Sequence, residues 1–362
     1  MSRHLPIRPL GLAAGITAGV LALSGCTAGT DDAPEGAGDP KTLVVSTFPF
    51  GVEQLQEAVI DPFTEATGIE VEIATGSNAD RLSQLQLAGG VDPGVDVMLM
   101  SDFYAALGQE DDLFQQVDAD AVPALAEIAD FAREDAYFGP AYSYQLNGTL
   151  YRTDELSAEE ASSWDLYGNE AYAGQLALPN ISVTAGQLAV SGVAATYGDG
   201  PYDADTAFAT MGDWAPNILQ FYSSSTEVTN LLTQGEIVAA DALNGFATSL
   251  VAAGEPIAWV APSSGAYMAT NRAMIPTGAA NVDAAHQFID YLLGVEAQTA
   301  SAALVGDLPV NPGAEIPAEI TAVVGDIAVD PVAAGFETLD PTELIPTRNE
   351  WVERFAREVT AQ

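Results

Sequence analysis

The stretch Val59-Ile60-Asp61-Pro62-Phe63-Thr64-Glu65-Ala66-Thr67-Gly68-Ile69-Glu70-Val71-Glu72-Ile73 changes its hydrophobic period at a single glycine. Upstream of Gly68, Leu55, Val59 and Phe63 recur at helical spacing, with Ile60 less regular, so residues 52–67 read as an amphipathic helix. Gly68 is the stop signal. Beyond it, residues 69–73 alternate apolar and acidic side chains as a half-buried strand does. Working outward, residues 42–45 form a β-branched run closed by the turn Ser46-Thr47-Phe48-Pro49-Phe50-Gly51. Residues 80–87 look helical, and residues 95–100 are a buried-type strand running into Ser101-Asp102. Strands alternating with helices predict an α/β fold, each sheet mostly parallel with helices on its faces.

A second region repeats the rhythm without repeating the sequence. It has a strand at 175–178, helices at 184–197 and 226–234, and strands at 237–240 and 256–260. Residues 283–293 form a strongly apolar helix with Ala285, Phe288, Ile289 and Leu292 on one side. A chain of 362 residues exceeds the usual single-core limit, so two lobes are expected.

Composition removes several functions. Ten Lys+Arg stand against 51 Asp+Glu, a formal charge of −41, yet apolar residues make up 48% and charged ones only 17%. That is the make-up of a packed, acidic-surfaced protein rather than a disordered acidic tail. Phosphate backbones and anionic headgroups repel such a surface, so no nucleic-acid partner is expected. One cysteine excludes a disulfide scaffold. Arg3 and Arg8 precede the uncharged apolar run 10–24, which is too short and wrongly flanked to be a span.

The run ends Leu23-Ser24-Gly25-Cys26, which resembles the lipobox of bacterial lipoproteins. The resemblance implies a signal peptide over 1–25, lipidation of Cys26 and an extracytoplasmic protein anchored to the cell membrane. Residues 27–40 are Gly, Pro and acid, so 26–40 reads as a flexible tether.

Catalytic devices find little support. Beyond the signal region the one histidine is His286, beside Phe288 and Ile289, where a core-edge role is expected. No nucleophile elbow, P-loop, zinc motif or dinucleotide fingerprint occurs, and neither metal nor cofactor is expected. Carboxylates are plentiful enough that a glycosidase-like pair stays open, but no pair stands out. Glu110-Asp111-Asp112 and Glu159-Glu160 read as solvated faces.

In open α/β sheets ligands lie beyond the carboxyl ends of the strands. Those positions hold Ser46, Thr47 and Phe48, then Ser101 and Asp102. In the second region they hold Asn180, Ser182 and Thr184, then Asn244 and Phe246. Short hydrogen-bonding groups with aromatic walls suit a polar small-molecule cleft. The same residues serve equally well as helix caps.

With these positions in view, residues 42–310 resemble the solute-binding lipoproteins of bacterial ABC importers, with the two-lobed periplasmic-binding-protein fold of type II. The carriers are the opening stretch 59–71, Ser163-Trp164-Asp165-Leu166-Tyr167, and Tyr172-Ala173-Gly174-Gln175-Leu176-Ala177-Leu178-Pro179-Asn180. Most specific is the order Gly235-Glu236, Asn244-Gly245, Gly265-Ala266 and Asn281 to Leu293, similar to the spermidine/putrescine-binding branch. The resemblance implies lobe 1 over 41–140 and 269–310, lobe 2 over 141–268, and a helical C-terminal segment, 311–362, packed on both. Crossing strands would lie at 138–144 and 267–276, adding Tyr142, Tyr267 and Asn271 to the site. It also implies a monomer that delivers its solute to permease subunits.

Departures from that branch bear on the solute. Its acidic residues in the second lobe are replaced by Asn180-Ile181-Ser182-Val183-Thr184, its Trp-Asn-Gly reads Leu243-Asn244-Gly245, and its second crossing reads Ala269-Thr270-Asn271-Arg272. A desolvated ammonium needs fixed negative charge or aromatic faces. A nearly uncharged cleft for a neutral or anionic organic solute is therefore expected, with polyamine the family default and Asp102 the one acid able to serve an amine. Arg272 is read either as an anion partner or as solvent-facing. Iron is disfavoured because Tyr222 stands alone in Phe221-Tyr222-Ser223. An extracellular hydrolase using two carboxylates, or an adhesive surface lipoprotein, are the alternatives.

Overall fold

The computed structural model describes residues 42–361, without the side chain of Ser249. The signal peptide, Cys26 and the tether lie outside the described residues. The strands are β1 (Leu43–Thr47), β2 (Val71–Thr75), β3 (Val97–Ser101), β4 (Phe114–Gln115), β5 (Ala141–Arg152), β6 (Leu176–Pro179), β7 (Ile218–Tyr222), β8 (Ala239–Leu243), β9 (Ile257–Val260), β10 (Met268–Pro276) and β11 (Leu308–Pro309). Their order is β2-β1-β3-β10-β5-β8-β6-β7, with β4 on β10 and both β9 and β11 on β5.

Two parallel half-sheets meet across an antiparallel seam. β1 runs parallel to β2 and β3, and β6 parallel to β7 and β8. β10 and β5 run antiparallel between them. β5 changes partner midway: 141–146 pair with β10, and 147–152 pair with β8 and β9. That single strand belongs to both lobes. The first crossing, expected at 138–144, is longer and shifted toward the second lobe, while β10 falls within the expected 267–276.

Asn244 sits at the changeover. Its Oδ1 accepts the Leu146 N–H at 2.7 Å and its own N–H donates to the Leu146 carbonyl at 2.9 Å. Asn147 N–H goes instead to the Tyr267 carbonyl at 3.0 Å. A side chain thus supplies the strand partner that the backbone lacks there.

The first helical stretch runs Val52–Leu55, a π-turn Gln56–Ile60, then Asp61–Thr67. It buries Leu55, Val59, Ile60 and Phe63, and ends on Gly68 at φ 74° with its N–H on the Thr64 carbonyl. Phe63 packs edge-on against Phe288 at 5.3 Å, joining this stretch to helix Val282–Leu293. Helix Thr184–Tyr197 approaches its sheet through small residues; a Cβ at Gly186 would lie 2.1 Å from the Asn180 carbonyl oxygen. The C-terminal helix Pro341–Arg354 reaches both lobes: Arg348 lies over Phe103 at 4.6 Å, and Arg354 pairs with Asp205 at 2.7 Å. Among the described residues no helix is long and apolar enough to cross a membrane.

Candidate functional site

Four chain segments converge at the carboxyl ends of β1 and β3. Thr47 is buried at the end of β1, while Phe48 is half-buried and stacks on Phe50 at 5.5 Å. Ser101 Oγ accepts from Asn78 Nδ2 at 3.2 Å. Asn271 lies opposite Ser101 in the β3–β10 register, and its Nδ2 donates to Ser143 Oγ at 3.1 Å. Tyr142, on β5, is buried nearby.

Asp102 opens helix Asp102–Glu110. One carboxylate oxygen accepts the Phe103 N–H at 2.7 Å. The other takes the Thr270 N–H at 2.9 Å and Thr270 Oγ1 at 3.3 Å. Burial pushes its pKa up, and these donors together with nearby Arg272 oppose that. The carboxylate is therefore a fixed acceptor tying β3 to the crossing strand β10.

Facing Asp102 across a cavity of about 20 Å³ are Thr184, Gln187 and Leu188 from the other lobe. Phe103, Tyr137, Met268 and the C-terminal residues Leu339, Pro341 and Leu344 complete its wall. A space of that size holds about one water, so the lobes are shut on each other here. Asn180 Oδ1 accepts the Ser182 N–H at 3.0 Å, the capping turn that sequence alone left open. Ser182 itself is exposed. Tyr267 is buried against Leu188 and Ala269, and Phe246 packs on the main core. Asn244 is engaged at the hinge as described. A larger cavity of about 750 Å³, lined by residues including Val117, Leu125, Arg133 and Phe138, contains none of the expected site residues.

Two further charges lie close to the strand ends, though neither lines the space of about 20 Å³ between the lobes. Arg81, in helix Asn78–Ala88, is buried at 4% exposure beside Ser46, Phe48 and Leu99. Burial pushes its pKa down to about 10, leaving it charged at neutral pH. Asp307, just before β11, is half-buried, and desolvation pushes its pKa up to about 6. Sequence reading passed over both. A signal existed for Arg81: few basic residues occur in this chain, and one near a helix N-terminus opposes the helix dipole.

Arg272 is neither solvent-facing nor free. It is fully buried, its guanidinium lies 3.4 Å from the Tyr137 ring centre, and it is ion-paired with Glu134. The other Glu134 oxygen accepts from Thr338 Oγ1 at 2.6 Å. Elsewhere, Asp241 on β8 is fully buried, takes both oxygens' bonds from Asn147 Nδ2 at 3.1 and 2.9 Å, and has its pKa pushed well up by burial. His286 is a core-edge residue whose Nε2 accepts the Asp118 N–H at 3.0 Å. Among the described residues no cluster of His, Cys, Asp and Glu could hold a metal.

Residues 58–325 match the family model described as bacterial extracellular solute-binding protein. The chain is 24% identical over 253 residues to spermidine/putrescine-binding periplasmic protein 1 of Haemophilus influenzae, covering 67% of this chain and 68% of that protein. It is 25% identical over 301 residues to the spermidine/putrescine-binding periplasmic protein of Escherichia coli, covering 81% and 79%. A crystal structure of an ABC transporter from Clostridium perfringens superposes with a TM-score of 0.76 at 27% identity, covering 88% of this chain and 99% of that one.

Proposed function

The chain belongs to the bacterial extracellular solute-binding proteins, and from that premise we propose that it captures a small polar solute where β1, β3, β5 and β10 converge, without transforming it. The observation that carries this reading is the division of β5 between the two half-sheets, which sets Asp102 of one lobe against Thr184 of the other. Two lobes sharing strands close by rigid rotation about those strands, and a ligand between them stabilises the closed form. A solute-binding component of an ABC importer then offers that closed form to its permease.

Three finer statements join the proposal. The chain is held outside the cytoplasm by acyl groups on Cys26, with residues 26–40 as the tether. It acts as a monomer. It takes a solute related to, but recognised differently from, the spermidine and putrescine named for its relatives. The carboxylates and tryptophans that suit a bare polyamine are replaced at the positions named above, and the second lobe offers Thr184 and Gln187 instead.

The hydrolase alternative needs a carboxylate on each wall of the cleft. Among the residues lining the space between the lobes, Asp102 is the one acid.

The test is a thermal-shift screen of the full chain against amines, amino acids, organic acids and sugars. A solute that binds only the folded form raises the melting temperature by mass action. A saturable shift with one solute class is expected. A flat response to every class, alongside turnover of a glycoside, rejects the reading.

A further inference from the structure

Resting on that reading of the cleft, we infer that Gln187 is the solute-selecting residue of the second lobe. The solute group seated between it and Asp102 is then a neutral hydroxyl on an aliphatic chain, rather than an ammonium or a carboxylate.

Gln187 lies in the first turn of helix Thr184–Tyr197 and is 7% exposed. Its side chain has no hydrogen-bond partner among the described residues. It lines the same space of about 20 Å³ that Asp102 lines from the first lobe. A buried carboxamide that bonds nothing costs stability, and a group that arrives between the lobes removes that cost. Thr184 lies three residues earlier on the same helix face, lines the same space and likewise has no side-chain partner among the described residues. Both side chains donate and accept, and neither carries charge.

Charged end groups fit this space poorly. Asp102 already accepts the Phe103 N–H, the Thr270 N–H and Thr270 Oγ1, three of the roughly four positions a carboxylate offers. An ammonium brings several hydrogens and, once desolvated, needs fixed negative charge that is not already engaged. The helix works in the same direction. Val183, its N-cap residue, supplies no side-chain bond to the first turn, so the positive end of the helix borders the space without a side-chain cap. That end opposes a cation, while Asp102 across the space opposes a carboxylate. A hydroxyl suits both walls. Its hydrogen can go to the remaining Asp102 position or to Gln187 Oε1, and its oxygen can accept from Gln187 Nε2.

Size and lining agree with this. A space of about 20 Å³ holds one hydroxyl oxygen. Leu188, Met268, Leu339 and Leu344 wall it with apolar surface, which suits methylene groups and would leave the further hydroxyls of a sugar without partners.

Isothermal titration of the full chain with putrescine, aminobutanol, butanediol and succinate tests this, because these linear probes have the same number of carbons and differ at their ends. Expected is saturable binding of aminobutanol and butanediol, with putrescine and succinate roughly tenfold weaker or more. Gln187→Leu should weaken butanediol about tenfold, as the loss of one buried hydrogen bond does, and leave putrescine unchanged. Its melting temperature without solute should be no lower than that of wild type, since the amide bonds nothing in the protein. A lower one shows a structural role and overturns the inference. Gln187→Glu sets a second acid opposite Asp102, so it should weaken butanediol and favour putrescine. Putrescine or succinate binding tighter than butanediol in wild type overturns the inference and leaves the receptor reading standing. So does butanediol binding that Gln187→Leu does not change. No response to any of the four, in a protein that melts cooperatively, overturns the inference and counts against the receptor reading as well.

Discussion

Among the described residues two arginines are buried in this strongly acidic protein, and their surroundings differ. Arg272 lies on the Tyr137 ring with Glu134 as its ion partner, and Thr338 holds that carboxylate in place. Arg81 has a backbone carbonyl, a hydroxyl and an amide, and an edge left over. The first arrangement is neutralised: the Arg272 Nε, like that of Arg81, has no partner, but Glu134 supplies the counter-charge and the pair fastens β10 to the loop carrying Glu134. The second has neutral acceptors and no carboxylate partner among the described residues. Charge in itself did not separate the two. The partners did.

The largest expected effect breaks the neutralised pair. Glu134→Ala leaves Arg272 buried without its counter-ion and should cost about 3 kcal/mol of stability, read from urea unfolding. A loss below about 1 kcal/mol would mean that Tyr137 alone satisfies Arg272, and the contrast drawn between the arginines would lapse.

Asn244→Ala removes the acceptor of the buried Leu146 N–H at the strand changeover and should cost about 1–2 kcal/mol. Hydrogen exchange at Leu146 and Asn147 should speed up if Asn244 is the hinge partner, and a uniform change over the whole chain would argue for mere packing.

Asp307→Asn contrasts a carboxylate with no ion partner among the described residues against the Glu134 pair, through pH. Its pKa is raised in the folded state to about 6, so folding favours the protonated form. The stabilising contribution is complete below the unfolded value near 3.8, and it is lost as pH rises through about 6. The amide does not titrate. The variant should therefore match wild type near pH 4 and exceed it by roughly 1–2 kcal/mol at pH 8. A pH-independent difference would show that Asp307 does not titrate with a raised pKa.

Smallest of all should be Arg81→Met without ligand. Replacing an uncompensated buried cation by an apolar chain of similar length should change stability by less than about 1 kcal/mol, in either direction. A loss as large as that from Glu134→Ala would make Arg81 a structural residue and undo the comparison.

Much of the fold was legible before any coordinates. Helix Thr184–Tyr197 has the predicted bounds, and Val282–Leu293 begins one residue earlier than expected. Their apolar spacing is strong and their ends are marked by polar residues or glycine. β7 and helices Ala204–Trp214, Gly245–Ala252 and Val295–Leu304 went unread. Gly245–Ala252 is apolar almost all round, so it has no period to detect. The crossing strand β5 was placed too early because its second half opens on Asn147-Gly148, strand-poor residues that tertiary pairing with β8 and β9 overrides.

The site divides the same way. Ser101 and Asp102 were read from strand ends and Asn271 from the crossing that the resemblance implied, and the register places Asn271 opposite Ser101. Arg272 looked available and was not, since its partner Glu134 lies far away in sequence and only the fold brings it near. Arg81 and Asp307 were missed for the converse reason. By itself, then, the amino-acid order determined the α/β alternation, the acidic exterior and the family, because those depend on local period and composition. Only the tertiary structure decided which charges are neutralised and which are left open, because a buried charge takes its meaning from partners contributed by distant segments.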